Sequence, residues 1–229
     1  VGRPEVMVKY AAGQKLEPLE KLFVDCEEQF LGIVTEKLSL RKGKMTNLVN
    51  NGKGRVLIEF SVPARALIGF RDEFLTDTRG TGVMNHTFHG YAPWKGSIPG
   101  RKNGVLIAIE AGETIAYSLF NLQERGTLFI GPGVKVYEGM IIGEHNRGND
   151  INVNPCKEKK LSNMRAAGKD DNVLLSPIKP FTLEQTINFI REDELVEVTP
   201  KSVRLRKTVL PAQKRHTLRA SRMKNARAA

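Results

Sequence analysis

Cysteine is nearly absent from the 229-residue chain: only Cys26 and Cys156 occur, far apart and without Cys-x-x-Cys spacing. That excludes a disulfide framework, points to a reducing compartment and leaves no zinc pattern, so both thiols read as small buried apolar groups. Long apolar runs are missing as well; none approaches the roughly 20 residues needed to cross a bilayer. The N-terminus VGRPEVMVKYAAGQ has neither an apolar signal core nor an initiator Met, so the chain is expected to be soluble and cut from something longer. A third absence is local. Residues 201–229 hold ten Lys or Arg and no Asp or Glu, which leaves 26 basic against 25 acidic side chains in the first 200 residues and places nearly all of the net +11 at one end. A block this one-sided repels itself and gains most beside a polyanion, where each neutralised phosphate releases condensed counterions. Nucleic acid is the first expected partner and an anionic membrane surface the second.

Catalytic patterns are also lacking. Gly52-Lys53-Gly54 has Asn47 where a phosphate loop needs its first Gly and no following hydroxyl, and Gly80-Thr81-Gly82 has Asn85 where a dinucleotide fingerprint needs Gly. These are turn glycines. His86 and His89, three apart in an expected strand, point to opposite faces rather than to one metal. Glu27-Glu28 and Glu192-Asp193-Glu194 read as solvated charge at helix ends. The chain is therefore expected to be no enzyme but a binding module, with no cofactor of its own; a standalone RNA-modifying enzyme and a membrane-binding scaffold stay open as alternatives.

What is present is, first, an internal repeat. Gly32 aligns with Gly69, Glu36 with Glu73 and Gly43 with Gly80, each pair 37 residues apart, while Phe30, Leu31, Ile33 and Leu38 meet Leu67, Ile68, Phe70 and Leu75. In each copy an alternating apolar run (Leu22, Val24; Val56, Ile58, Phe60) leads to a helix-period segment that stops at Lys42-Gly43 or Arg79-Gly80, and a strand follows. Two β-α-β units predict a ferredoxin-like split βαβ plait, with helices on one sheet face and the other face free. Asn50 to Gly54 supplies the hairpin between them.

Beyond Tyr91 the pattern changes to a linker with Pro93, Gly96, Pro99 and Gly100, then to short apolar runs at 105–109, 114–120 and 134–143 separated by glycine turns, all read as strands. One clear helix opens at Thr182 with a capping pattern and is expected to bury Leu183, Ile187, Phe189 and Ile190; strands are expected near 195–198 and 202–205. The class is thus α+β: a plait over 1–92, a mainly β C-terminal domain with one clear helix over 93–210, and a basic tail over 211–229 expected to be flexible. Pro211 could start a helix in that tail, placing Arg215, Arg219 and Arg222 on one face with Lys224 nearby to meet phosphates.

Residues 146–169 (NRGNDINVNPCKEKKLSNMRAAGK) show weak periodicity and read as a long functional loop. Its Lys and Arg suit phosphates and its Asn side chains suit base edges or 2′-hydroxyls. The expected RNA-contacting residues are Asn152, Asn154, Lys157, Lys159, Lys160, Asn163, Arg165 and Lys169.

PARALIGFRDEFLTDTRGTG (63–82) resembles the fifth domain of the elongation factor G class. ERG at 124–126, VYEGMIIG (136–143), NDINVN (149–154), KKLSNMRAAG (159–168) and DELVEVTP (193–200) resemble the C-terminal part of the BipA/TypA translational GTPases, and the likeness spans essentially the whole chain. Asn154-Pro155-Cys156-Lys157-Glu158 departs from that family's pattern at the loop tip. The resemblance implies a bacterial or chloroplast cytoplasmic or stromal fragment, a plait plus the family's private C-terminal domain, with GTP and Mg²⁺ bound in an N-terminal domain outside this sequence. It implies action on the 70S ribosome and in assembly of the 50S subunit under stress or cold, with no membrane partner. The loop would then meet 23S rRNA and the acceptor arm of A-site tRNA, and the plait would meet factor-binding rRNA and ribosomal proteins near the factor-binding site.

Overall fold

A computed structural model of the protein describes residues 1–11, 13–158, 174–178 and 181–228. The chain divides into two compact units, Pro4–Gly100 and Arg101–Ala229 together with Val1–Arg3. The α+β class expected from the sequence is the one observed.

The first unit runs β1 (Lys9–Ala11), β2 (Gln14–Glu27), α1 (Leu31–Leu40), β3 (Lys44–Asn50), β4 (Arg55–Pro63), α2 (Phe70–Asp77) and β5 (Val83–Pro93). Its antiparallel sheet has β2 between β4 and β5, β3 outside β4, and β1 paired to the start of β2. This is the split βαβ arrangement. Alternation does the sorting: Leu22, Val24 and Cys26 of β2 and Val56, Ile58, Phe60 and Val62 of β4 are buried, and they pack against Val34 and Leu38 of α1 and Phe70 and Phe74 of α2. Cys26 is thus a core residue, and burial pushes its thiol pKa up. On the opposite face the side chains pair with each other, Lys21 with Glu59 and Arg55 with Asp25, each at 2.9 Å.

The repeat reappears in the helix ends. Lys42 (φ 67°) and Arg79 (φ 52°) both enter the left-handed region, and the amides of Gly43 and Gly80 return to the carbonyls of Leu38 (2.8 Å) and Leu75 (2.7 Å). Both are Schellman-type closures, in which an amide beyond the helix satisfies an orphan carbonyl. The buried faces do not keep the same offset. Leu75, aligned with buried Leu38, is 37% exposed, and Phe74 takes the inward position. The hairpin lies where expected, with Gly52 and Gly54 at positive φ and the Gly52 amide bonded to Asn50 Oδ1. This turn leads into a strand and so offers no helix N-terminus to a phosphate; Gly80-Thr81-Gly82 likewise leads into β5.

The second unit comprises β6 (Val105–Ala108), β7 (Gly112–Glu113), α3 (Ala116–Gln123), β8 (Gly126–Leu128), β9 (Lys135–Val136), β10 (Met140–His145), β11 (Ile151–Val153), α4 (Leu183–Phe189), β12 (Glu194–Val198), β13 (Val203–Lys207) and α5 (Ala212–Ala228). The main sheet has the order β11-β6-β10-β13-β12, with β8 also on β10 and a parallel pairing of β11 with β6. Every residue of β6 is buried because both faces are covered. Leu106, Ala108, Met140 and Ile142 pack toward Leu119 and Leu122 of α3. Val105, Ile107 and Ile141 pack toward Ile190, beside Ile187 and Phe189 of α4.

Two sequence expectations change here. Residues 114–120 were expected as a strand, but 116–123 is helical: Ile115, Leu119 and Leu122 recur at helical spacing and only that spacing turns both leucines onto β6. Leu183, expected buried, is 43% exposed, and Thr186 is buried instead; the Thr182–Gln185 capping box itself forms. The helix expected after Pro211 exists as α5, started by the Ala212 amide on Glu138 Oε1 at 2.7 Å.

A third correction concerns charge. Glu192-Asp193-Glu194 is not merely a solvated helix end, because Glu194 is 1% exposed and takes two bonds from Arg101, at 3.0 and 3.2 Å. Lys207, 2% exposed, lies at 2.7 Å from Asp150, 2.9 Å from Asp193 and 2.9 Å from Glu194. Burial alone would lower the Lys207 pKa, but the Glu194 charge and the bonds to Asp150 outweigh it and hold it above the ordinary lysine value. Burial likewise opposes ionisation of Asp150, yet Lys207, the Val105 amide and Arg191 keep its carboxyl below the usual range. One of the basic block's ten cations is therefore consumed inside the fold.

Candidate nucleic-acid interface

The stretch expected as a structureless loop begins as ordered chain. Residues 151–153 form β11, with Val153 buried beside β6 and Asn152 exposed. Three short residues carry too little periodicity to mark a strand in sequence. The turn after it is fixed by Asn154, whose Oδ1 accepts the Cys156 amide at 2.9 Å and whose Nδ2 donates to Glu110 at 2.8 Å. The carbonyl of Asn154 accepts Ser118 Oγ at 2.6 Å, and the carbonyl of Pro155 accepts the Ile115 amide at 3.1 Å. These bonds dock the start of the loop onto α3. Cys156 is half-buried here, and burial raises its thiol pKa.

Between β11 and α3 lies an open cleft of about 570 Å³, lined by Asn152, Asn154, Lys157 and one carboxylate, Glu158, on one side and by Tyr117, Asn121 and Arg125 on the other. Lys157 and Arg125 are exposed and present cations, Asn121 and Asn152 present amides, and Tyr117, 37% exposed, presents a ring. Cation, amide and aromatic ring together are the chemistry that takes phosphate, base edge and base face. Tyr117, Asn121 and Arg125 were missed in the sequence because 114–120 was read as a strand; the helical spacing of Ile115, Leu119 and Leu122 was the available signal.

The tail reaches the same place. Arg215 donates from Nη2 to Asn152 Oδ1 at 2.8 Å and from Nη1 to the carbonyls of Val209 (3.2 Å) and Leu210. Burial lowers its pKa despite the carboxylates of Glu138 and Asp150 nearby. Arg219 is exposed one turn on, and Arg222 and Lys224 fall within the span of α5. Lys159, Lys160, Asn163, Arg165 and Lys169 lie outside the described residues. Among the described residues, no three His, Cys, Asp or Glu side chains are grouped for a metal ion, and no helix is long and apolar enough to cross a membrane.

Comparison with known proteins agrees with the two-unit layout. Residues 14–102 match the elongation factor G C-terminus, and residues 103–212 match the TypA/BipA C-terminal domain. A protein named large ribosomal subunit assembly factor BipA from Haemophilus influenzae is 51% identical over 211 residues, covering 92% of this chain and 34% of that protein. Its Bacillus subtilis namesake is 44% identical over 216 residues (94% and 35%), and that of Buchnera aphidicola 48% over 225 residues (98% and 37%). The chain spans about a third of the length of the curated relatives it matches. With these two domains in this order and close relatives across nearly its whole length, the chain belongs to the TypA/BipA family.

Proposed function

We propose that the chain is the non-catalytic, RNA-binding part of a ribosome-associated translational GTPase that acts in assembly of the large ribosomal subunit. The observation that carries this reading is the cleft in which Asn152, Asn154 and Lys157 stand opposite Tyr117, Asn121 and Arg125. The relatives' shared name, large ribosomal subunit assembly factor, supports the choice of polyanion. In this reading the cleft and the loop that leaves it at Lys157 engage 23S rRNA and the acceptor arm of A-site tRNA, in the cytoplasm. The loop residues Lys159, Lys160, Asn163, Arg165 and Lys169 extend the contact, and Arg219, Arg222 and Lys224 of α5 add sequence-independent phosphate contacts. GTP and Mg²⁺ belong to the portion of the relatives' length that this chain does not span.

The test is association with purified 50S subunits across a salt series. Each lost phosphate contact lowers the slope of log affinity on log salt by about one. Arg125→Ala and the triple change Lys159→Ala, Lys160→Ala, Arg165→Ala are expected to weaken binding and flatten that slope, while Glu192→Gln leaves both unchanged. Glu194 is unsuitable as a control because it is buried against Arg101 and Lys207. Unaltered binding by both cationic variants, at matched folding, refutes the assignment.

A further inference from the structure

Where β1, β2 and β5 meet in the plait, the sheet carries aromatic rings that the core does not use. Phe88 is 62% exposed and Tyr91 36%, and their rings meet edge to face with centroids 5.6 Å apart. Register explains the meeting. Phe88 pairs with Glu20 and Tyr91 with Pro18, while His89 is the extra residue of a bulge, so both rings stand on one face of the sheet. Lys9 of β1 adds a cation, its ammonium 4.1 Å from the centre of the Tyr91 ring. Of the β2 carboxylates, Glu17 is buried against Arg65, and Glu20 lies against His86. Among the described residues no carboxylate is ion-paired to Lys9.

An exposed Phe alone would suit many partners, but the ammonium narrows the choice. Cores of protein–protein interfaces are depleted in Lys, whereas single-stranded nucleic acid stacks its bases on exposed rings and sets its phosphates against Lys and Arg. One face of Tyr91 is taken by Lys9, and Phe88, 62% exposed against 36% for Tyr91, is the more open stacking surface. We propose that Phe88, Tyr91 and Lys9 form a platform for an unpaired stretch of RNA, with a base on Phe88 and an adjoining phosphate on Lys9. This site lies in the first unit, apart from the cleft of the second, and stands or falls separately from it.

The experiment uses the whole chain carrying Lys159→Ala, Lys160→Ala and Arg165→Ala, which silences the loop, and a fluorescent single-stranded oligoadenylate of about ten nucleotides, a length within the range that such sites cover. Phe88→Leu keeps an apolar side chain but removes the ring; affinity is expected to fall by about 5- to 150-fold, the range for losing one stacked base, with the salt slope unchanged. Phe88→Trp is expected to retain binding. Lys9→Ala is expected to lower the salt slope by about one. Thermal melts by circular dichroism confirm that each variant folds. Equal affinity of Phe88→Leu and its parent overturns the proposal, as does failure of the loop-silenced chain to bind the oligonucleotide. Loss of ribosomal-protein binding with oligonucleotide affinity intact would make the patch a protein-docking surface and also overturn it. Unchanged ribosome binding on silencing the loop counts against the cleft reading alone.

Discussion

Replacing Lys207 by Met keeps most of the side-chain length and removes one buried charge. Lys207 makes three close contacts to carboxylates, two of which, Asp150 and Glu194, have side chains only 24% and 0% exposed. Removing one member of such a cluster strands its partners in a poorly solvated site, at a cost of about 3–5 kcal/mol. Asp193 has a side chain 51% exposed; it can rehydrate, so Asp193→Asn should cost no more than about 1 kcal/mol. With a urea slope of about 2 kcal/mol per molar, Lys207→Met shifts the midpoint of the second unit by roughly 2 M. The only tryptophan, Trp94, lies in the first unit. Its fluorescence therefore follows the plait and should not move, while far-UV circular dichroism follows both units and should. The pH dependence has a definite sign. The folded pKa of Asp150 is depressed, so its contribution is present above the ordinary carboxylate value of about 3.9 and is lost as pH falls through the folded value. The folded pKa of Lys207 is raised, so its contribution is full below about 10.4 and is lost as pH rises through the folded value. The gap between parent and variant should be flat from about pH 5 to 9 and close at both ends. A midpoint shift under about 0.5 M at neutral pH would refute the assignment of Lys207 as a structural cation.

Two further outcomes follow from the packing. Phe74→Ala empties the space between α2 and the sheet and should destabilise the plait by about 3–5 kcal/mol, read as an earlier Trp94 transition with the second unit unmoved. Thr182→Ala removes the acceptor of the Gln185 amide and half of the capping box, and should cost about 1 kcal/mol in the second unit by urea unfolding.

The plait was legible because its signals are local and doubled: the same alternation, the same helix stop and the same basic-glycine pair occur twice, although the left-handed residue is the basic one, Lys42 or Arg79, where a glycine would be the usual choice. What the repeat could not show was helix rotation, since Phe74 rather than Leu75 turns inward. The second unit was harder. In α3 an eight-residue helix with β-compatible residues mimics a strand until the spacing of Leu119 and Leu122 is weighed. The burial of Glu194 and Lys207 is set by partners 57 and 93 residues away, Asp150 for Lys207 and Arg101 for Glu194. No short-range pattern reports such pairing. Of the expected loop contacts, Asn152, Asn154 and Lys157 do line one cleft, but Asn154 holds the turn and Asn152 holds Arg215.

The position of Lys207 decides where the chain can be cut. A deletion that removes the whole acid-free block from residue 201 would take away β13 and the cation shared by Asp150, Asp193 and Glu194, so any loss of ribosome binding would report collapse of the second unit. A stop codon after Leu210 keeps β13 and Lys207 and discards only α5. Experiments meant to weigh the tail's electrostatic share belong at that boundary.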